Sequence, residues 1–196
     1  MSKGEQTRLA ILDTALSEAS RLGLGGLSIG GLARQLDMSK SGLFAHFESK
    51  ENLQLEVLQS ARDRFIVKVV APALQTPRGI PRLETLFEKW LDWAKTPHFE
   101  GGCIFVSSSI ELAAQPGTLR AAVLASQRDW HATIAEMARA ARREGHFRAD
   151  LDPDQFAWEF HAITLAFHYF HRMIRDPQAE SRARTSFKHL ISNSSV

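Results

Sequence analysis

Two short apolar-patterned stretches, Ile29 to about Leu36 and Ser39 to about Phe47, are separated by only Asp37 and Met38. So short a break swings the second helix steeply across the first, and the angle holds only if buried side chains lock it. Ile29, Leu32, Ala33, Leu36, Met38, Leu43 and Phe47 are available to do so, with Ala33 small where the two helices close on each other. Asp37 occupies the turn and is one of the few non-glycine residue types that tolerate a left-handed backbone. Ser28 and Ser39 stand where each helix begins and offer a side-chain oxygen to its first free amides. The pattern is that of a helix-turn-helix.

Left outward on the second helix are Ser39, Lys40, Ser41, Gly42, Phe44 and His46. Small hydrogen-bonding groups with one cation suit a helix laid in a major groove, with Ser39, Lys40, Ser41 and Gly42 at the base edges. Ser28 at a free helix N-terminus, Lys40, Phe44 by packing alone, and Lys50 are suited to phosphates. A plainer reading stands beside this one. The serines are then caps only, the lysines solvated helix-end charges, and His46 a satisfied polar residue at the base of its helix. Bulk charge does not decide, because the net charge is +2 and residues 1–50 carry six basic against five acidic side chains. Any contact with nucleic acid therefore depends on where the cations sit.

Helical periodicity continues along the chain, with no sustained alternating pattern, internal repeat or low-complexity tract. The first helix is expected over Glu5–Leu22, with Leu9, Leu12, Ala15, Leu16, Ala19 and Leu22 as its apolar face and Gly23 ending it. Ser49 caps a long helix running from Lys50 towards Val70, after which Pro72, Pro77, Gly79 and Pro81 punctuate a loop. Further helices are expected around Leu83–Leu91, after Cys103, over 118–144, over 153–175 and from Asp176-Pro177 to near Leu190. This makes about nine helices in an all-α chain: a three-helix head at 1–50 and a helical-bundle body at 51–196. Cys103 is the lone cysteine, which excludes an internal disulfide and a cysteine-built zinc site and fits a reducing cytoplasm. The polar N-terminus does not read as a signal peptide, and no apolar run reaches bilayer length, so a cytoplasmic location is expected.

Ser28, Ala33, Ser39, Phe44-Ala45-His46-Phe47 and Ser49-Lys50-Glu51-Asn52-Leu53 keep a distinctive spacing. Over roughly residues 5–55 the segment closely resembles the DNA-binding domain of the tetracycline-repressor (TetR) family. It departs at two positions, with Asp37 for the usual turn glycine and Phe44 for the usual tyrosine, whose hydroxyl commonly meets a phosphate. The resemblance implies a regulator that grips a palindromic operator as a homodimer and answers to a small-molecule effector, with repression of nearby genes as the expected outcome. It also implies that the last two helices, 153–175 and 178–190, pair with those of a second copy. Phe156, Trp158, Phe160, Ile163, Leu165, Phe167, Tyr169, Phe170 and Met173 cover more than one face of the first of these, more than a helix packing on one side needs.

Most other aromatics are core by default. Trp90, Cys103, His131 and Trp158 are the candidates to line an effector cavity of the kind this family encloses. Among eight histidines, His161, His168 and His171 share a helix, yet no carboxylate or cysteine completes a metal set, and no metal or cofactor is expected. Ser107-Ser108-Ser109 lacks nucleophile-elbow glycines, and no phosphate loop or His-Glu-x-x-His is present. The rival from another class is a small helical enzyme or ligand carrier whose head is structural.

Overall fold

Ser2 opens the first helix, α1 (Lys3–Leu22), through a reciprocal capping pair. Its hydroxyl accepts from the Glu5 amide at 3.2 Å, and the Glu5 carboxylate accepts from the Ser2 amide at 2.6 Å. The computed structural model describes residues 2–97 and 99–196. Along α1 the buried stripe is Ile11, Leu12, Ala15, Leu16 and Ala19. Leu9 and Leu22, expected on that face, are 52% and 48% exposed. Leu9 lies at the margin of the stripe, and past the last turn it is Leu24 and Leu27, not Leu22, that enter the core.

The short helices α2 (Ile29–Gln35) and α3 (Lys40–Phe47) follow, then α4 (Lys50–Phe65). The rod that begins with α4 does not stop before Pro72 as the sequence suggests. It passes through a π-helical turn, Ile66–Val70, into α5 (Ala71–Leu74). The Ala71 amide bonds five residues back, to Ile66. This wider turn makes room for a ring that has no N–H to give and would otherwise press on the preceding turn.

Next come α6 (Ile80–Lys95), α7 (Ile104–Glu111), α8 (Thr118–Arg143), α9 (Pro153–Tyr169) extended by a second π-helical turn (Phe170–Ile174), and α10 (Ala179–Ser194). Arg175, at φ +58°, ends the ninth helix in a left-handed cap. The last helix starts and stops later than expected. Asp176 accepts from the Gln178 amide at 2.9 Å and holds the Asp-Pro step as a turn, while buried Leu190 and Ser194 carry the helix past residue 190. Counting continuous rods once, the described residues form nine helices and no strand, with one isolated bridge between Phe147 and Ser195.

The chain gathers into two compact units, one of residues up to 64 with 96–124, the other of 65–95 with 125–196. In the first, Arg64–Asp13 and Arg8–Glu56 ion pairs at 2.6 and 2.5 Å tie α4 to α1. In the second, Phe87 stacks on Phe187 at 4.1 Å and Phe160 meets both edge-on at 5.8 and 5.6 Å. Arg184 pairs with Glu88 and Glu180, and Lys95 reaches Glu180 at 3.0 Å, fastening α10 to α6. These pairs hold the Glu180 carboxyl below its usual range, Arg184 contributing more than Lys95. Among the described residues no helix is long and apolar enough to cross a membrane.

Candidate nucleic-acid interface

Asp37 makes the turn between α2 and α3, at φ +52°. The amide after it, Met38, bonds the Ala33 carbonyl at 2.8 Å, so the chain reverses directly over the small side chain. Leu32, Ala33, Leu43 and Phe47 are buried at the crossing, whereas Ile29, Leu36 and Met38 are only half-buried. Phe47 also receives the Arg8 guanidinium over its ring at 5.2 Å. A second left-handed residue, Glu48 at φ +62°, closes α3 with its amide on the Phe44 carbonyl at 2.7 Å.

Both predicted caps are made. Ser28 accepts from the Gly31 amide at 2.9 Å and Ser39 from the Gly42 amide at 3.0 Å. The Ser39 hydroxyl also lies 3.2 Å from that of Ser41, so the two share a small polar spot on the first turn of α3. Lys40, Ser41 and Ala45 are exposed, and Phe44 shows 49% of its surface. Gly42 and His46 are half-buried, the imidazole lying tilted 6.2 Å from the Phe47 ring. The stem of Lys40 runs across Gly30, where an added methyl would stand 2.9 Å from its Cε. The glycine thus leaves Lys40 a track along α2.

Lys50 is exposed at the start of α4, and its ammonium donates to the Gly25 carbonyl at 2.8 Å. Two further side chains hold the same loop: Gln54 donates to the Leu24 carbonyl at 2.6 Å, and Glu111 accepts from the Leu24 and Gly25 amides at 2.9 and 2.6 Å. Sequence reading did not single out Gln54 or Glu111. One signal for Glu111 was present. A carboxylate on the last residue of α7 opposes the helix dipole, so it needs a partner from elsewhere.

The candidates for an effector site are more scattered. Trp90 is buried in the second unit with its ring edge-on to Phe167 at 6.0 Å. His131 is half-buried on α8, and His161 on α9 responds to it. Burial pushes the His161 imidazole below its usual value, and the charge of His131 lowers it further. Cys103 is buried at the N-cap of α7, in the first unit. Trp158 departs from expectation. It is 62% exposed, on the outer side of α9 rather than in an interior wall. Among the described residues no group of three or more His, Cys, Asp or Glu is placed to hold a metal ion.

Two family models match the chain. Residues 11–57 match bacterial regulatory proteins of the tetR family, and residues 79–187 match the tetracyclin repressor-like C-terminal domain. The transcriptional regulator AcuR of Cereibacter sphaeroides is 23% identical over 154 residues, covering 77% of this chain and 69% of AcuR. A TetR transcriptional regulator from Chloroflexus aurantiacus shares the fold with a TM-score of 0.86 at 23% identity, over 98% of this chain and 96% of its own. AibR, solved in complex with isovaleryl coenzyme A and operator DNA, superposes with a TM-score of 0.75 at 22% identity, over 94% and 97%.

Proposed function

The chain belongs to the tetR family of bacterial regulatory proteins, and from that membership we propose that it is a ligand-responsive repressor gripping a palindromic operator as a homodimer. One observation carries the reading. Helix α3 buries Leu43 and Phe47 and leaves Lys40, Ser41 and Phe44 on its open side, next to the cap hydroxyl of Ser39. In this reading Ser39, Lys40, Ser41 and Gly42 read base edges. Ser28, Lys40, His46, Lys50 and the packed ring of Phe44 fix the register on the phosphates. That AibR was solved with operator DNA supports the use of this fold on a duplex.

Residues 1–50 act as the DNA-binding head and 51–196 as the effector and dimerisation body. Pairing through 153–175 and 178–190 is supported by the apolar side chains that α9 leaves exposed, and by a groove of about 280 Å³ whose lining includes Ala162, Ala166, Phe170 and Ala183, with Arg182 beside them. A dimer sets two copies of α3 in successive major grooves, about 34 Å apart. A small-molecule effector works by binding one of two conformations more tightly, with coupling of about 1–3 kcal/mol. Trp90 and His131 are the effector contacts assigned within the second unit, and Cys103 is a separate candidate in the first. Trp158 is assigned to the dimer face. No catalytic role is assigned.

A mobility-shift assay on the DNA upstream of the chain's own gene tests the proposal. Lys50→Ala is expected to weaken binding to every duplex and to lower the salt slope by about 1. Ser41→Ala is expected to change which duplexes are preferred. A structural head on an enzyme or carrier predicts no sequence-dependent shift at all, and that result overturns the reading.

A further inference from the structure

We propose that Glu111 is a positioning residue for DNA recognition: through its carboxylate, helix α7 holds the α1–α2 loop and so sets where α2 and α3 sit. The inference rests on the DNA-binding reading above and adds to it a contact that couples α7 to the head.

The loop from Gly23 to Leu27 is short, and its peptide groups are held mainly by side chains. Glu111 takes both the Leu24 and the Gly25 amide, one on each carboxylate oxygen. The carbonyls of the same two residues go to Gln54 and Lys50 on α4. Two consecutive residues are thus suspended, by amide and carbonyl alike, between α4 on one side and α7 on the other. Among the described residues, backbone-to-backbone bonds here are Leu27 to the Leu24 carbonyl at 3.2 Å and the helix-ending Gly23 amide to Ala19 at 2.9 Å. Charge-assisted bonds from a carboxylate to backbone amides are the stronger kind, and the one from Gly25, at 2.6 Å, is short.

The sequence is built around this approach. A methyl at Gly25 would stand 2.8 Å from Glu111 Oε1, and one at Gly23, whose φ is +80°, 2.8 Å from Oε2. The paired glycines after α1 therefore do more than end a helix, because they admit the carboxylate. Glu111 itself sits where a helix C-terminus disfavours negative charge. The two amides offset that charge, as expected of a residue placed for what it holds rather than for its own helix. Ser28 follows the loop directly and starts α2, so a displacement at Gly25 reaches the reading pair within three residues. Helix α7 lies inside the segment matched by the C-terminal family model, whereas the loop lies inside the DNA-binding one. The carboxylate is therefore a direct link between the two.

The test uses the full-length protein and a duplex that the wild type selects from a random pool. Affinity for that duplex and for a scrambled one is measured by fluorescence anisotropy, and amide exchange is followed residue by residue without DNA. Glu111→Ala is expected to weaken the selected duplex at least tenfold and the scrambled duplex less than twofold. Faster exchange should be confined to Leu24, Gly25 and the first turn of α2. Glu111→Gln, which keeps one acceptor oxygen, should fall between, and it is read the same way if the alanine variant does not fold. Affinity within twofold of wild type overturns the proposal. So does faster exchange spread evenly over α1, α4 and α7, which would make Glu111 a fold-stabilising residue only. A wild type that selects no duplex overturns the DNA-binding reading itself, and the inference with it.

Discussion

His161 is a single residue with a measurable signature. Its folded pKa lies below the ordinary 6.5, first because burial penalises the imidazolium and second because His131 repels it. Above that ordinary value both folded and unfolded chains hold it neutral, and its environment imposes no pH-dependent penalty. As the pH falls below it, the unfolded chain takes up the proton more readily, so stability drops until the folded-state pKa is passed. His171 shifts in the same direction through burial and the charges of Arg172 and Lys95, opposed by Glu180. Thermal midpoints measured from pH 8 to pH 5 should therefore decline for the wild type and decline less for His161→Gln; equal slopes would show that the imidazole is not held neutral. On the DNA side, Phe44→Tyr restores a hydroxyl at a ring that is 49% exposed. One added phosphate hydrogen bond should tighten operator binding by up to about tenfold, near 1.4 kcal/mol. Unchanged affinity in a titration by anisotropy would place that ring away from the duplex.

At the scale of the helix, the caps separate stability from recognition. Ser28 and Ser49 make the same bond, to the Gly31 and Asn52 amides at 2.9 and 3.0 Å. Alanine at either should cost about 1 kcal/mol in urea unfolding. Only Ser28→Ala should also weaken DNA binding, since the proposed complex sets the Ser28 cap itself, and not that of Ser49, against a phosphate. Equal affinity losses for the two variants would remove that phosphate contact. Caps and turn were legible in the sequence because each depends on neighbours within a few positions: Asp37 needed only its left-handed backbone, and Ser39 only the amide of Gly42. What depends on distant partners was not legible. Lys50 reaches Gly25 across 25 positions and Glu111 reaches it across 86. Pro72 misled for a different reason. A proline ends an α-helix by local rules, but a π turn ending two residues earlier removes the obstacle, and no residue pattern at Ile66–Val70 announces it.

At the scale of the molecule, the apolar excess on α9 has to be accounted for. The sequence shows too many large side chains for one face, and the structure sorts them into two. Phe156, Phe160 and Phe167 turn inward and are buried. Trp158, Leu165, Tyr169 and Met173 recur at helical spacing on the opposite side, 62%, 40%, 53% and 74% exposed, with Ala162 and Ala166 between them. The sequence carried the excess but not its division, because both sets share one composition and only the inward packing shows which way each ring turns. Large apolar groups around small residues let another helix approach closely, and a second copy of the same face satisfies that geometry by symmetry. Trp158→Glu and Ala166→Arg, each placing charge on the seam, should yield a monomer in sedimentation velocity while the helical circular dichroism is kept. Losing the pairing of two heads should then lower affinity for a full palindrome by about 10² or more and leave a half-site unchanged, because the second contact becomes independent of the first. A charged variant that remains dimeric would place the interface on another surface, and the spacing of the two α3 helices would have to be sought there.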